Sequence, residues 1–294
     1  MGKTLHAGWG LAGFFWLLTA GCGSDATAKD TGVTGPMRCN GHEELCDRPL
    51  DEVAFAATHN AMSSSDEGWL IPNQVHGLAQ QLEDGIRAML LDTHYWDQAP
   101  GQTFLCHATC DLGKIDLVEA LGLLDAFLDS HPHEVLVLII EDAISVEDTV
   151  SAFEASTLVE HVSAHPGGAF PTLRELIDRG QRLLVTAERE GPPPDWYHHV
   201  WDVAWDTPYS FASANDFSCQ PNRGSTSNPL FLLNHWIENP LSDPALSEIA
   251  NQHDLLLGRA EQCQNESGDI VNFVAVNHYS IGALFQVVDE LNGF

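Results

Sequence analysis

Short apolar runs alternate along the chain with longer segments in which apolar residues recur every three or four positions. The short runs predict strands and the longer segments predict helices, because strands and helices bury side chains with periods of 2 and 3.6 residues. The predicted strands lie near residues 53–58, 87–92, 103–107, 135–141, 182–187, 199–203, 230–235 and 271–276. Helical spacing is clearest in 74–84, 116–129, 171–177 and 281–291. This alternation of eight strands with helices predicts an α/β fold, a closed parallel barrel.

Polar side chains follow several of these apolar runs at the point where the run ends. In a β/α barrel the active site lies at the carboxyl ends of the strands, so these polar residues are candidates for one shared site. They are His59, Asn60, Asp92, His107 and Glu141.

His59 and His107 are the candidate acid and base. Cleavage of a phosphodiester needs a base for the attacking oxygen and an acid for the leaving oxygen, and an imidazole that titrates near neutrality can serve as either. The alternative for each residue is a hydrogen-bonded histidine of the core. Two histidines at matching strand ends favour the catalytic interpretation.

Asn60, Asp92 and Glu141 are oxygen donors of the kind that Ca²⁺ or another divalent cation prefers. Such a cation would hold a phosphate oxygen and supply positive charge. The alternative is a capping asparagine and two carboxylates that pair with Arg87 or with water.

Three further residues are predicted to contact the substrate. Arg87 stands in an apolar run and would touch phosphate or orient a carboxylate. His94 lies two residues beyond Asp92, and His278 follows the last predicted strand, where packing of the final helix is the alternative. Trp69, Trp96 and Trp236 are candidates for an amphipathic rim that faces lipid or a sugar ring, and ordinary packing is the default interpretation.

Charge limits the partners of the 294-residue chain. There are 12 Lys and Arg against 42 Asp and Glu, a formal net charge of −30. Nucleic-acid binding depends on cations that neutralise phosphates, so this class is excluded. A phosphodiester substrate would therefore need local cationic help from a metal, a protonated histidine or a few arginines.

The N-terminus predicts export. Residues 1–21 combine Lys3 with an apolar run, as in a signal peptide, and small residues precede Cys22 as in a bacterial lipobox. We expect lipid attachment at Cys22, a flexible tether over 22–38 and one domain over 39–294. The protein would then be an envelope lipoprotein anchored to a membrane. The alternative is an ordinary secretion signal with a chance cysteine.

Cysteine usage agrees with export. Seven cysteines less Cys22 leave an even number, which in an exported chain suggests disulfides. Many connectivities are formally possible, and proximity along the chain favours Cys39–Cys46, Cys106–Cys110 and Cys219–Cys263. A zinc site is the rival, but neither close pair has the usual ligand spacing.

Several short motifs occur in one order along the chain. They are Cys39-Asn40-Gly41, Ala56-Ala57-Thr58-His59-Asn60, Gln81-Leu82-Glu83-Asp84-Gly85-Ile86-Arg87, Met89-Leu90-Leu91-Asp92, Leu105-Cys106-His107, His131-Pro132-His133-Glu134, Ile139-Ile140-Glu141-Asp142, Phe170-Pro171-Thr172-Leu173 and Asn272-Phe273-Val274. Together they resemble the phosphatidylinositol-specific phospholipase C X-domain family, in its secreted branch of PLC-like phosphodiesterases. The resemblance covers about residues 39 to 292.

The resemblance implies a distorted TIM barrel and a two-histidine mechanism. His59 would deprotonate the inositol 2-hydroxyl, which attacks phosphorus, and His107 would protonate the leaving diacylglycerol oxygen. Asn60, Asp92 and Glu141 match the calcium set of the family, although Leu90 stands where its first strand acid would be. The substrate would be a phospholipid or a soluble phosphodiester, and a monomer is expected. The alternatives are a glycerophosphodiester- or sphingomyelin-type phosphodiesterase and a catalytically silent binding barrel.

Overall fold

The structure is a computed structural model that describes residues 36–165 and 167–294. The predicted signal peptide, Cys22 and most of the predicted tether lie outside the described residues. Within these two ranges, none of the helices has both the length and the apolar character that crossing a bilayer requires.

The sheet is built mainly from parallel strands. Its strands are β1 (Phe55–Thr58), β2 (Ala88–Tyr95), β3 (Thr103–Leu105), β4 (Ile115–Asp116), β5 (Leu136–Asp142), β6 (Leu183–Ala187), β7 (Tyr197–His199), β8 (Ala204–Asp206), β9 (Leu230–Asn234) and β10 (Phe273–Val276). Eight of them are hydrogen-bonded in the order β7-β6-β5-β2-β1-β10-β9-β8, every neighbouring pair being parallel. Within the described residues no ladder joins β7 to β8, so this curled sheet is a barrel left open at one seam.

Helices follow most of the parallel strands. They are α1 (Leu78–Asp84), α2 (Leu117–Ser130), α3 (Val146–Ala155), α4 (Leu173–Asp178), α5 (Val200–Val203), α6 (Pro244–Ala250), α7 (His253–Ser267) and α8 (Leu284–Asn292). Capping fixes the starts of two predicted helices. The Asp116 side chain accepts from the N–H of Glu119 to begin α2, and Thr172 and Glu175 form a capping box that begins α4.

Two of the predicted strands are wrong in type or extent. β3 pairs antiparallel with β2 and with β4, so the run 103–107 forms a side hairpin and not a barrel strand. The run 199–203 is mostly the short helix α5, and the barrel strands β7 and β8 lie on either side of it. The two errors offset each other, which is why the predicted number of barrel strands agrees with the structure.

The core lies on both faces of the sheet. On β5, Leu136, Leu138 and Ile140 belong to the apolar cluster that includes α2, while Val137 and Ile139 belong to the cluster inside the barrel. Side chains of successive strand residues point to opposite faces, which accounts for this division. The apolar filling of the barrel ends near Leu90 and Ile139, which form the floor of a cavity at the carboxyl ends of the strands.

All six cysteines of the domain are paired as their proximity predicts. The disulfides are Cys39–Cys46, Cys106–Cys110 and Cys219–Cys263.

Candidate active site

Every second residue of a barrel strand faces the interior, and the same alternation, continued past the apolar residues, places polar side chains at the cavity. Phe55 and Ala57 of β1 face the interior, so the next residue in the same phase is His59. Continued in the same way, the interior phase of four other strands reaches Asp92, Glu141, Glu188 and Asn234. These five residues line one cavity of about 290 Å³.

His59 is held in one orientation by two neighbours. Its Nδ1 lies 2.8 Å from Oδ1 of Asn277, and the indole of Trp236 stacks on the ring at a centroid distance of 3.8 Å. Asn277 donates through Nδ2 to Glu238, so its Oδ1 accepts from the Nδ1–H of His59. The other ring nitrogen, Nε2, therefore carries the lone pair, and it lies 3.2 Å from the Asn60 carboxamide. Burial lowers the pKa of His59 to about 3, against the raising effect of the Asn277 hydrogen bond, so the ring is neutral at neutral pH.

His107 has the opposite electrostatic environment. It lies two residues after β3, inside the loop that the Cys106–Cys110 disulfide closes, and its Nδ1 lies 2.8 Å from Oδ2 of Asp92. The hydrogen bond that His107 donates to Asp92 raises the pKa of His107, because a carboxylate stabilises the imidazolium. The His59 and His107 rings lie 6.4 Å apart between centroids, at 73° to one another. A neutral and a protonatable imidazole thus stand at one cavity, within reach of one phosphate group.

The predicted cation ligands Asn60, Asp92 and Glu141 all line this cavity. Asp92 and Glu141 are partners in the β2–β5 register, and the Asn60 carboxamide lies 3.3 Å from both carboxylate oxygens of Asp92. With its nitrogen toward Asp92 the carboxamide donates to the carboxylate; with its oxygen there, oxygen donors face one another as they do around a cation.

The donor chemistry therefore fits a hard cation, although the site is open. Glu141 accepts from Arg189 at 2.9 Å and Asp92 accepts from His107, so both carboxylates also have protein partners. Among the described residues, no three His, Cys, Asp or Glu side chains form a group arranged to hold a metal. Water and substrate oxygens would have to complete the coordination.

A second charged network forms the other wall. Asp206 is fully buried and accepts from Nε and Nη2 of Arg223, at 3.0 and 2.7 Å, and from Nδ2 of Asn234 at 3.0 Å. Nη1 of Arg223 reaches Glu188 at 2.7 Å. Burial raises the pKa of Glu188 to about 7, and the Arg223 charge only partly opposes this. Arg223 thus presents a guanidinium to a cavity that is otherwise rich in carboxylates.

An apolar groove of about 120 Å³ adjoins the cavity, and His107 and Glu238 line both. Its other wall residues include Leu70, Ile71 and Leu241, which are 61%, 42% and 52% exposed. Large apolar side chains with such exposure around one opening mark a binding surface for apolar groups.

The three candidate rim tryptophans are packed into the fold, as the default interpretation expects. Trp69 is buried against Gly113, Trp96 packs under Lys114, and Trp236 is buried on His59. Trp69 and Trp236 are buried, and the exposed rim of the groove is formed by the aliphatic side chains of Leu70, Ile71 and Leu241.

The three residues predicted to contact substrate lie elsewhere. Arg87 precedes β2, at the opposite end of the barrel from the cavity, where it pairs with Glu134 at 2.6 Å and donates to two carbonyls. His94 pairs with Phe104 in the β2–β3 ladder. His278 is buried and bound to Ser247 at 3.0 Å. None of the three predicted residues lines the cavity.

Sequence reasoning missed several residues of the site. Glu188 directly follows β6 and Asn277 directly follows β10, so the rule that found Asp92 could have found both. Arg223 gave no such signal, because it lies in an irregular segment and reaches the cavity through its contact with Asp206.

Comparison with known proteins places these features in context. The family model described as PI-PLC X 1 matches residues 45–292. The chain is 32% identical over 213 residues to PI-PLC X domain-containing protein 1 of Arthroderma benhamiae, covering 68% of each. It is 27% identical over 299 residues to a protein of the same organism named "Uncharacterized secreted protein", covering 90% of this chain and 66% of that protein. The chain thus spans about two-thirds of the length of both relatives.

A solved structure shares the fold. A mutant of phosphatidylinositol-specific phospholipase C from Staphylococcus aureus superposes with a TM-score of 0.56 and 13% sequence identity, over 83% of this chain and 94% of that one. The superposition shows that the two proteins share a fold.

Proposed function

Since the chain belongs to the PI-PLC X domain family, we propose that it is a phosphodiesterase that works by two-histidine acid–base catalysis. The observation that supports this most directly is the contrast between His59 and His107 at one cavity. Two titratable groups whose surroundings drive their pKa values apart are the signature of an assigned base and acid. The neutral ring is the base and the ring paired with Asp92 is the acid.

In the proposed reaction, Nε2 of His59 takes the proton of a nucleophilic hydroxyl as its oxygen forms a bond to phosphorus. His107 gives its proton to the leaving oxygen as the second phosphorus–oxygen bond breaks. If the nucleophile is a neighbouring hydroxyl of the head group, as in phosphatidylinositol, the product is a cyclic phosphodiester. Water can then open the ring with the two roles reversed. Asn277 and Asp92 hold the two imidazoles in the required orientations.

A divalent cation, Ca²⁺ in the first instance, is part of the proposal. Asn60, Asp92 and Glu141 would hold it, and it would supply positive charge to the phosphate oxygens. The need for such charge follows from the lining of the cavity, which includes the carboxylates of Asp92, Glu141, Glu188 and Glu238 and the guanidinium of Arg223.

The apolar groove supports a lipid substrate over a soluble diester. His107 lines both the cavity and the groove, so the alcohol that leaves from its side would have its apolar part beside Leu70, Ile71 and Leu241. We further propose that the chain is exported, which the secreted relative supports, and that acylation at Cys22 anchors it to a membrane, which rests on the lipobox-like sequence before Cys22.

The direct test compares His59→Ala, His107→Ala and wild type on phosphatidylinositol vesicles, with products separated by chromatography. Each substitution should lower kcat about 10²–10⁴-fold. The matched control is His76→Ala, because His76 also places Nδ1 2.8 Å from a carboxylate, that of Asp66, but lies outside the cavity. Its kcat should stay within about twofold of wild type. A cyclic inositol phosphate product supports inositol lipid as substrate.

The same assay resolves the remaining alternatives. Turnover of choline or glycerol phosphodiesters without a cyclic product would identify a glycerophosphodiester- or sphingomyelin-type enzyme. Activity that EDTA abolishes and Ca²⁺ restores supports the cation, and activity indifferent to EDTA removes that part alone. A folded wild-type protein that turns over no phosphodiester under any metal condition is a binding barrel.

A further inference from the structure

Arg259 is a buried cation without a carboxylate partner. It lies on α7 with 5% of its surface exposed, and none of the ion pairs of the described residues includes it. The Phe217 and Phe211 rings stand 4.3 and 5.0 Å from its guanidinium. Burial lowers the pKa of Arg259 to about 9, so it remains charged at neutral pH. Burying a charge costs free energy unless hydrogen bonds to the charged group compensate for the lost contact with water.

Those hydrogen bonds go to the last residue of β9, to the residue that follows it, and to Ser218. Nη1 donates to the carbonyl of Asn234 at 2.7 Å and to Nδ1 of His235 at 3.1 Å. Nε2 of His235 lies 2.8 Å from the carbonyl of Ala250 and donates to it, so Nδ1 is the accepting nitrogen. Burial lowers the pKa of His235 to about 3, which keeps this tautomer neutral. Nη2 donates to the carbonyl of Ser218 at 2.9 Å.

Residues 234–238, here called the 234–238 segment, form one side of the cavity. Asn234, Trp236 and Glu238 line it, while the intervening His235 points to Arg259. Trp236 is the residue whose indole stacks on His59, with 5° between the ring planes. Arg259 therefore contacts the 234–238 segment on the side away from the cavity. On the cavity side, the same segment carries Trp236, which stacks on His59, the proposed base.

The segment at Ser218, which Arg259 also contacts, is held to α7 by a disulfide as well. Ser218, which accepts from Arg259, precedes Cys219, and Cys219 is bonded to Cys263 one turn further along α7. Helix α7 thus holds two chain segments by a disulfide and a forked guanidinium. A planar fork with several donors can hold two separate carbonyls at once, which a single ammonium cannot do as well.

We infer that Arg259 is a positioning residue of the active site: it sets the 234–238 segment so that Trp236 holds His59 in place. Arg259 does not touch the cavity in which the reaction takes place. The kinetic part of this inference rests on the proposed function, whereas its structural part does not.

The chain offers a close control in Arg182. It is also buried, at 7% exposed, and it also donates to a carbonyl, that of His131 at 3.0 Å, and contacts the Nδ1 of a histidine, His161 at 3.3 Å. It precedes β6, at the end of the barrel away from the cavity, and does not line the cavity. Removing either arginine should destabilise the fold in a similar way, but only one removal should reach His59.

The experiment measures nuclear Overhauser effects between the His59 ring and the Trp236 indole in protein labelled at His and Trp. The cross-peaks should be present in wild type and in Arg182→Met, and lost in Arg259→Met. In parallel, kcat/KM on phosphatidylinositol should fall by on the order of 10²-fold in Arg259→Met and stay within about threefold in Arg182→Met.

Cross-peaks that persist in Arg259→Met overturn the inference, whether or not the protein is an enzyme. If wild type shows the cross-peaks without turnover, the proposed function fails while the structural part is still tested. Should Arg259→Met not fold, Arg259→Lys is measured instead. It keeps the charge but not the fork, so weakened cross-peaks and a kcat/KM about tenfold lower support the inference, and wild-type values of both overturn it.

Discussion

His59 and His107 are the same residue type in similar sequence contexts, and their different roles come from their partners. His59 hydrogen-bonds to the neutral carboxamide of Asn277 and is covered by Trp236. His107 hydrogen-bonds to the carboxylate of Asp92 and is more open to solvent, with 44% of its side chain exposed. Burial disfavours the charged form of the first ring and the carboxylate favours that of the second. The assignment of base and acid follows from these two contacts.

This contrast sets the pH dependence. The pKa of His107 is raised above its ordinary value of 6.5, so kcat/KM should be lost on the alkaline side, with an apparent pKa above 6.5. Asp92→Asn removes the main cause and should move that limb to lower pH. The measurement is kcat/KM from pH 5 to about 10 at saturating Ca²⁺. An alkaline limb that does not move in Asp92→Asn contradicts the assignment of His107 as the acid.

Stability should follow the same titration. A histidine whose folded pKa is raised contributes stability that is fully present below its unfolded value of 6.5 and is lost as the pH rises through the folded pKa. In urea unfolding, the difference between wild type and Asp92→Asn should therefore be larger at low pH within this window and shrink above it. His107 is partly exposed, so the change will be modest.

The rule that polar residues at the carboxyl ends of strands form the site predicted some of its residues and missed others. His59, Asp92 and Glu141 continue the interior phase of their strands, and that phase can be read in the alternation of apolar residues. Arg223 reaches the cavity through its contacts with Asp206 and Glu188, which lie 17 and 35 residues away along the chain. No local pattern encodes such contacts, because they depend on how the barrel closes.

At the scale of elements, His107 is carried differently from the other site residues. The antiparallel β2–β3 hairpin presents it, and the Cys106–Cys110 bond closes a short loop directly beside it. The apolar run 103–107 resembles a barrel strand in sequence because both kinds of strand bury consecutive residues, Phe104 and Leu105 in β3. The connection between β2 and β3, from residue 95 to residue 103, is too short for a parallel crossover. In the sequence, only this short length indicates a hairpin.

The short disulfide beside His107 should matter more for catalysis than for folding. Cys106→Ala with Cys110→Ala should cost about 2 kcal/mol of unfolding free energy, as expected for so small a loop. It should also lower kcat about tenfold or more by releasing the proposed acid.

The control is Cys39→Ala with Cys46→Ala, since this pair closes a similar loop, with a sequence separation of 7, outside the cavity. It should lose a similar amount of stability in urea unfolding and retain kcat. Equal effects of the two double substitutions on kcat would show that the Cys106–Cys110 loop does not position His107.

At the scale of the whole molecule, the formal charge of −30 opposes the approach to an anionic lipid surface. The cavity is also rich in acidic groups, because four carboxylates and one guanidinium, that of Arg223, line it. The apolar rim of Leu70, Ile71 and Leu241 supplies the attraction that does not depend on charge. A lipid anchor at Cys22 would overcome the repulsion by raising the local concentration of the barrel at the membrane.

Without its anchor, the chain should therefore respond to salt in the opposite direction from a basic lipid-binding protein. Salt shortens the Debye length from about 10 Å at 0.1 M to about 3 Å at 1 M, which screens the repulsion between protein and surface. For Cys22→Ala, which cannot be acylated, turnover of phosphatidylinositol in anionic vesicles should rise about threefold or more between about 0.05 and 0.5 M NaCl. The same substrate dispersed in uncharged detergent micelles is the control, because there the surface charge is diluted and the rate should change little. A rate on anionic vesicles that falls with salt would mean that local positive charge dominates the encounter, and the net charge of the chain would then not govern its access to lipid.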